Sequence, residues 1–292
     1  MAVSHLIKRV TILGTGLIGG SFALALRKYT AEAHITGFDN REVLQHAASL
    51  HALDEGVFGD LARAVRDADL IYIALPIAAT LDLLPEIARH APSQALVTDA
   101  GSTKARIAQA AEEHFAPDKG ALFLGGHPMA GRELSGIAYA DADLFRGNTY
   151  ALIGAASEAL NEPRISAFVK VLEKIGARPL WLGAPQHDYA VGLASHLPQL
   201  AAIALASFLY DRLDENGLPI TLAGPGLRDS LRLAGSPYAT WRDIVLTNKD
   251  FLSAALDLFA RRIEDLRERL ASRDLEADFD SANELYKLLR SL

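Results

Sequence analysis

Short apolar runs alternate with longer amphipathic segments through about the first 183 residues of this 292-residue chain. An apolar run closed by Gly, Pro or Asp predicts a buried strand, and apolar residues at every third or fourth position predict a helix. Strands are predicted over residues 9–13, 34–38, 70–75, 95–99, 121–124, 149–153 and 178–182, and helices over residues 41–50, 78–90 and 164–175, with another ending at His114. This alternation predicts an α/β fold with a doubly wound parallel sheet.

The pattern changes after residue 183. Residues 187–210, 240–272 and 275–292 have helical periodicity and contain no convincing strand. The segment 201–206 is apolar on all sides, so it needs cover on more than one face. One small helical domain can hardly provide that cover. We therefore predict an α/β domain over residues 1–183 and an all-helical domain over residues 184–292 that packs against a second subunit.

A glycine-rich turn links the first predicted strand to the first helix. It reads Gly14-Thr15-Gly16-Leu17-Ile18-Gly19, and residues of helical composition follow it. In such a turn the first glycine permits the bend, the second lets the backbone approach a pyrophosphate, and the third lets the helix pack on the strand. Free N–H groups at the helix N-terminus complete an anion site. The motif predicts a Rossmann-type dinucleotide site; a turn that serves the fold alone is the alternative.

Asp39 ends the second predicted strand, twenty residues after the last glycine of the motif. A carboxylate at this place binds the adenosine ribose hydroxyls and repels a 2′-phosphate, so NAD is the predicted cofactor. Arg41 can pair with such a phosphate, which keeps NADP as an alternative. The predicted cofactor site consists of Gly14, Gly16, Leu17, Ile18, Gly19, Asp39, Leu75, Pro76 and Gly101.

His127 stands just past the apolar run 121–124, between glycines and directly before Pro128. The run predicts a buried strand that ends in a tight turn, and the proline fixes the backbone there. Ligands bind at the carboxyl ends of strands in open α/β sheets, and an imidazole takes up a proton near neutral pH. His127 is therefore a candidate general base. A structural, hydrogen-bonded histidine is the alternative.

Composition agrees with a two-domain cytoplasmic enzyme. Half of the residues are hydrophobic, there is no cysteine, and the N-terminus lacks a signal-peptide pattern. No apolar stretch approaches the roughly 20 residues that span a bilayer. The net charge of −7 argues against a nucleic-acid or anionic membrane partner. An anionic substrate would need cations gathered locally at the site.

Two polar clusters interrupt the helical half. The first is Ser195-His196-Leu197-Pro198-Gln199. The second runs from Arg228-Asp229-Ser230-Leu231-Arg232 to Trp241-Arg242-Asp243. Its arginines can bind a carboxylate through bidentate pairs. A solvated helix face with Arg–Asp pairs is the alternative.

Together these motifs resemble the prephenate/arogenate dehydrogenase family of tyrosine biosynthesis. The resemblance covers essentially the whole chain. It rests on Gly14-x-Gly16-x-x-Gly19, Asp99-x-Gly101-Ser102-x-Lys104, Gly126-His127-Pro128-Met129-Ala130-Gly131-x-Glu133-x-Ser135-Gly136, Ser195-His196-Leu197-Pro198, and Asp229-x-x-Arg232 with Trp241-Arg242-Asp243. The His-Pro-Met-Ala-Gly and Ser-His-Leu-Pro elements, in this order after a Rossmann start, are its most specific parts.

The resemblance implies oxidative decarboxylation of prephenate, to 4-hydroxyphenylpyruvate, or of arogenate, to tyrosine, with hydride transfer to NAD in a homodimer. It implies that His127 takes the substrate's hydroxyl proton and that Ser102 hydrogen-bonds His127 and sets its tautomer. His196 would line the cofactor and substrate cleft. Arg232 would bind a substrate carboxylate.

The remaining substrate contacts include two departures from the family pattern. The resemblance implies that Trp241 contacts the site, from the same or the other subunit, and that Glu133 holds a loop or an ionic gate. Gln199 stands where many members have a second histidine that touches substrate, so it bears on side-chain specificity. Arg132 replaces a frequent threonine, and it is either a cation near the site or a surface charge.

Three other interpretations stay open. A β-hydroxyacid or 6-phosphogluconate-type dehydrogenase needs a catalytic lysine on a helix of the second domain, and residues 195–207 contain none. A pyrroline-carboxylate-type reductase would lack the His-Pro-Met-Ala-Gly segment. A regulator that binds NAD without turnover would not need His127, Ser102, His196 and Arg232 together. No metal is predicted, because no metal-ligand spacing links the other histidines, which are His5, His34, His51, His90, His114 and His187.

Overall fold

A six-stranded parallel sheet forms the centre of the N-terminal part. The computed structural model describes residues 7–30, 33–115, 120–131, 134–213, 217–272 and 274–291. The strand order is β3-β2-β1-β4-β5-β6. The strands are β1 (Arg9–Leu13), β2 (His34–Phe38), β3 (Glu55–Val57), β4 (Leu70–Ile73), β5 (Leu96–Asp99) and β6 (Leu122–Leu124). The order reverses between β1 and β4, which is the switch point where dinucleotides bind in Rossmann folds.

Helices cover both faces of this sheet, so its central strands are buried and mostly apolar. All four residues of β4 and of β5 are buried, as expected for parallel strands packed on two sides. The helices of this part are α1 (Leu17–Tyr29), α2 (Arg41–Ser49), α3 (Leu61–Val65), α4 (Ile77–His90), α5 (Ala105–His114), α6 (Ala156–Ala159) and α7 (Pro163–Lys174). The predicted Rossmann-type fold is confirmed, although the sequence analysis did not predict β3.

The last three strands of this part form a separate sheet, so the prediction of one continuous parallel sheet is wrong there. Strands β7 (Gly126–Pro128), β8 (Thr149–Ile153) and β9 (Arg178–Leu182) occur in the order β7-β8-β9. Strand β7 runs antiparallel to β8, and β9 is parallel to it. The chain leaves the first sheet at Leu124 and re-pairs two residues later. An apolar run predicts a strand but does not say which sheet the strand joins.

A buried ion pair connects the two sheets. Asp99 and Lys104 are both completely buried. The Lys104 ammonium donates to the Asp99 carboxylate and, at 2.7 Å, to the carbonyl oxygen of Gly126. The Gly126 amide donates to the other oxygen of Asp99 at 3.2 Å. Burial lowers the pKa of Lys104, against the opposing effect of Asp99. One carboxylate at the end of β5 thus receives contacts from the strand that carries His127.

The remainder of the chain is helical. It comprises α8 (Ala184–Val191), a π-helical turn (Gly192–His196), α9 (Leu197–Tyr210), α10 (Leu218–Thr221), α11 (Pro225–Leu231), a 3₁₀ turn (Arg232–Gly235), α12 (Tyr238–Thr247), α13 (Lys249–Arg269) and α14 (Glu276–Arg290). The all-helical prediction is confirmed. By its contacts the chain divides into the units Met1–Asn248 and Lys249–Leu292. The first unit therefore includes helices that the predicted boundary at residue 183 assigns to the second domain.

The helix over Ala184–Tyr210 is long and apolar enough to cross a membrane by length and composition. The sequence-based statement that no stretch reaches that length is therefore wrong. Length and hydropathy do not separate a membrane span from a core or interface helix. This helix also contains buried polar side chains, among them His187, Asp188, His196 and Gln199. Absence of a membrane partner stays a prediction.

Removing the Lys104 ammonium should leave the Asp99 carboxylate buried without its charge partner. Breaking a buried ion pair on one side typically costs about 3–5 kcal/mol. We expect Lys104→Met to lower the free energy of unfolding by about that amount in urea titrations, and Asp99→Asn/Lys104→Met to recover part of the loss. Lys174→Met, at an exposed position, is the matched control. An effect no larger than the control's would contradict this account.

Candidate active site

The glycine turn after β1 has the geometry of a pyrophosphate cradle. Gly14 has φ +89°, and a Cβ there would lie 2.5 Å from the carbonyl oxygen of Ala74. A Cβ on Gly19 would collide with the carbonyl of Gly14. At Gly16 a Cβ would meet nothing within 4 Å, so that residue borders open space. Helix α1 begins at Leu17, and its first amides have no intrahelical acceptor. The residues present therefore fit a dinucleotide phosphate.

Backbone amides hold the Asp39 carboxylate beside this turn. One oxygen of its carboxylate accepts the Thr15 amide at 2.7 Å, and the other accepts the Asn40 amide at 2.7 Å. Each oxygen also accepts a second, side-chain hydrogen bond, from Thr15 Oγ1 at 3.3 Å and from Asn40 Nδ2 at 3.1 Å. The Asp39 side chain remains partly exposed, so a ribose hydroxyl can reach it by displacing one of these side-chain contacts. The guanidinium of Arg41 lies 4.6 Å from the ring centroid of Phe58. Arg41 thus stacks on an aromatic ring next to Asp39 in sequence.

The other predicted cofactor residues lie at neighbouring strand ends. Leu75 and Pro76 connect β4 to α4, and the Leu75 side chain packs against the position where a Gly14 side chain would be. Gly101 follows β5, and its amide donates to Asp99 at 2.9 Å. The carboxyl ends of β1, β4 and β5 therefore bring these residues to one edge of the sheet. Their contact with cofactor stays a prediction.

His127 occupies the middle of β7 and is hydrogen-bonded to a second histidine. Its Nδ1 lies 2.9 Å from Nε2 of His187, and the two rings meet edge to face. The Nδ1 of His187 lies 2.8 Å from the carboxylate of Asp188. Burial, followed by His187, Lys104 and His196, lowers the pKa of His127 well below its ordinary value. His127 is therefore neutral near pH 7, as a base must be.

Ser102 follows β5 in the chain, three residues after Asp99. It lies between β5 and α5 and is partly buried. Nδ1 of His127 is occupied by His187, which the long helix after residue 183 brings to that nitrogen. A hydrogen bond between Ser102 and His127 stays a prediction.

His196 is held by an amide and an indole. Its Nδ1 lies 3.1 Å from Nδ2 of Asn248, which also donates to the carbonyl oxygen of Asp188 at 2.9 Å. The His196 and Trp241 rings meet edge to face, 5.7 Å apart. Burial lowers the pKa of His196 to about 4, against the opposing effect of Asp188. Asn248 donates to Nδ1, so the ring proton is on Nε2, and His196 offers a neutral hydrogen-bond donor. Trp241 reaches His196 from the same chain.

Gln199 is buried, and its amide nitrogen donates to the carbonyl oxygen of Leu233 at 2.8 Å. That bond fixes the 3₁₀ turn that begins at Arg232, whose side chain is exposed. Gln199 thus orders the segment that carries the predicted anion-binding arginine. Arg132 and Glu133 lie outside the described residues.

Sequence reasoning missed the side chains that order the two histidines. His187, Asp188 and Asn248 are buried, and none was assigned a role. An adjacent His-Asp pair in a stretch poor in charge is the only signal for the first two. The contact of His187 with His127, 60 residues away in sequence, has no sequence signature. In the part of the chain that the structure describes, no group of three His, Asp or Glu side chains could hold a metal ion.

Comparisons with known proteins agree along the whole chain. Residues 22–180 match the nucleotide-binding domain of prephenate dehydrogenase, and residues 183–290 match its dimerization domain. Prephenate dehydrogenase of Lactococcus lactis is 34% identical over 92% of this chain and 73% of its own length. Cyclohexadienyl dehydrogenase of Zymomonas mobilis is 30% identical over 91% and 90%.

A solved structure gives the same result. The crystal structure of prephenate dehydrogenase from A. aeolicus with hydroxyphenyl propionate and NAD+ has a TM-score of 0.85, with 29% identity over 98% of both chains. The family models cover both predicted parts of the chain, and the fold agrees across its length. The chain belongs to the prephenate dehydrogenase family.

Proposed function

We propose that this chain catalyses the oxidative decarboxylation of prephenate or arogenate with NAD as hydride acceptor, a step of tyrosine biosynthesis. The observation that carries the proposal is the hydrogen bonding of the His127 ring. Its Nδ1 is bonded to His187, so Nε2 is the nitrogen left for a substrate hydroxyl. The strand that carries His127 is bonded through Gly126 to Asp99, at the carboxyl end of β5 in the dinucleotide-binding sheet. The relatives named prephenate and cyclohexadienyl dehydrogenase, and the A. aeolicus structure with hydroxyphenyl propionate and NAD+, support this substrate class and cofactor.

The residues around His127 suit this chemistry. The Gly14–Gly19 turn would hold NAD, which would supply the acceptor for the hydride from the ring carbon that bears the hydroxyl. His127 Nε2 takes the hydroxyl proton as general base. Loss of the ring carboxylate as carbon dioxide then makes the ring aromatic, which drives the reaction. His196 donates a hydrogen bond from Nε2, and Ser102 lines the same edge of the sheet.

Arg232 is the proposed substrate carboxylate ligand. A guanidinium binds a carboxylate through two parallel hydrogen bonds, and the turn that carries Arg232 is fixed by the Gln199–Leu233 bond. Through that bond Gln199 acts on substrate specificity by positioning this turn. Trp241 closes the site beside His196. Arg132 and Glu133 complete the proposed set, as an additional cation and as a residue that holds the loop.

The proposed active species is a homodimer in the cytoplasm, with a nucleotide-binding domain over residues 1–183 and a helical domain over residues 184–292. The match of residues 183–290 to a dimerization domain supports the dimer. Large apolar side chains of the helical part, including Phe208, Tyr210 and Leu222, are exposed in the single chain. Exposed apolar patches of this kind mark subunit interfaces.

His127→Asn should lower kcat by roughly 10²–10⁴-fold, the usual contribution of a general base. The NAD dissociation constant should be unchanged. Assays with prephenate and with arogenate test the wild-type activity at the same time. Because the pKa of His127 is lowered, the acidic limb of the wild-type kcat/KM profile should lie below the roughly pH 6.5 of a free imidazole. His90→Asn, at an exposed position, is the control, and a fully active His127 variant would refute the assignment.

Asp39→Ala should narrow the preference for NAD over NADP, because the carboxylate that repels a 2′-phosphate is removed. The measurement is the ratio of kcat/KM for the two cofactors. Asp67→Ala is the matched control, since Asp67 pairs with Arg9 at the opposite edge of the sheet. A wild-type preference for NADP would shift the role to Arg41 and its stack on Phe58.

Arg232→Ala should raise the substrate KM by about one to two orders of magnitude, since hydrogen bonds to charged groups contribute roughly 1.5–3 kcal/mol. The NAD dissociation constant should barely move. Arg89→Ala, an exposed arginine in the last turn of α4, controls for loss of one positive charge. An unchanged KM for both prephenate and arogenate would remove Arg232 from the site.

A further inference from the structure

A hydrogen-bonded series runs from His127 into the protein interior. His127 Nδ1 meets His187 Nε2 at 2.9 Å, and His187 Nδ1 meets the Asp188 carboxylate at 2.8 Å. The backbone amides of Lys104 and Ala105, at the start of α5, donate to the same carboxylate at 2.7 and 2.8 Å. His187 and Asp188 are each 1% exposed. The series therefore joins three separate parts of the chain, and its inner end, His187 with Asp188, is buried.

The proton positions follow from the ends of this series. Burial raises the pKa of Asp188, but the hydrogen bonds from His187 and from the Ala105 and Lys104 amides outweigh it, and the pKa is lowered. The ionised carboxylate only accepts hydrogen bonds. His187 therefore carries a proton on Nδ1. In the neutral ring its Nε2 is then an acceptor, which places the His127 proton on Nδ1 and leaves a lone pair on His127 Nε2.

We propose that His187, backed by Asp188, is the positioning residue that holds the general base His127 in the tautomer with a free Nε2. This proposal rests on the proposed function for its catalytic consequence. When the substrate O–H bond breaks and the Nε2–H bond forms, His127 becomes an imidazolium and its Nδ1–H donates more strongly to His187. The proton stays on His127, and the Asp188 charge stabilises the pair through the intervening ring.

The groups around His127 disfavour its protonated form, so the imidazolium needs the hydrogen bond to His187. The groups that face His127 are His187 from α8, His196 from the π turn and Lys104 from the start of α5, and each lowers its pKa. The Lys104 ammonium is paired with the Asp99 carboxylate. An imidazolium in this buried setting needs an acceptor at Nδ1, and His187 Nε2 is the acceptor that the structure provides. A role for His187 in packing alone would not require its own Nδ1 to meet a carboxylate.

Two substitutions of His187 separate hydrogen bonding from packing. In His187→Gln the side-chain amide oxygen can still accept from His127 Nδ1. In His187→Phe the ring volume is kept and the acceptor is lost. We expect His187→Phe to lower kcat by about 100-fold or more and His187→Gln to stay within about tenfold of wild type, by comparison with the general-base contribution. His90→Gln is the control for loss of an exposed histidine, and NAD affinity and thermal melting verify the fold.

The pH dependence of kcat/KM distinguishes a hydrogen-bonding role of His187 from a packing role, because a packing role would leave its acidic limb unchanged. Loss of the acceptor destabilises the imidazolium, so the acidic limb of kcat/KM should shift to lower pH in His187→Phe and less in His187→Gln. An unshifted limb would show a packing role. A shift to higher pH would show that His187 acts only as a repelling positive charge. Equal losses of kcat in the two variants would also overturn the proposal.

The tautomers can be measured without turnover. In the ¹⁵N-histidine spectrum of the wild-type enzyme, Nδ1 should be protonated and Nε2 unprotonated for both His127 and His187. The opposite tautomer at His127 would overturn the proposal. Because this spectrum needs no substrate, a wild-type enzyme inactive on prephenate and arogenate would refute the proposed function, while the proton positions would still be tested separately.

Discussion

The close approach of Gly126 to the end of β5 is the constraint on which the site depends. A Cβ on Gly126 would lie 2.8 Å from the Asp99 carbonyl oxygen, so only glycine lets the second sheet pack this tightly. The buried Asp99–Lys104 pair then bonds both backbone groups of Gly126. His127 is the next residue. Its backbone position is therefore fixed by a buried ionic contact rather than by a loop, which suits the proposed role of His127 as general base.

Nε2 is a hydrogen-bond acceptor in His127 and a hydrogen-bond donor in His196. His187 accepts from His127 Nδ1, so His127 Nε2 is an acceptor. Asn248 donates to His196 Nδ1, so His196 Nε2 is a donor. Burial lowers the pKa of both rings, which keeps both neutral near pH 7. One histidine can thus take a proton while the other donates a hydrogen bond, and the difference comes from a buried carboxylate and a buried amide.

The π turn explains how one helix supplies several of these groups. His187 and His196 are nine residues apart, and a regular helix rotates by about 100° per residue, so they would lie on opposite faces. The wider turn over Gly192–His196 reduces that rotation. The Asn248 amide then bonds both the carbonyl oxygen of Asp188, next to His187, and Nδ1 of His196. Such π turns often occur at functional sites. An apolar helix long enough for a membrane span therefore carries much of the site's polarity.

The Rossmann-type sheet, the helical half, the dinucleotide turn and the family could all be predicted from the amino-acid sequence, because these features depend on local patterns. Glycine spacing, strand runs and motif order are all readable within short windows. The sequence did not determine that residues 126–128 join a second sheet, or that Gln199 bonds Leu233. The hydrogen bond between His127 and His187 could not be predicted either. This bond joins residues 60 positions apart and depends on how strand β7 packs against helix α8. The sequence of either segment alone does not show which segment it packs against.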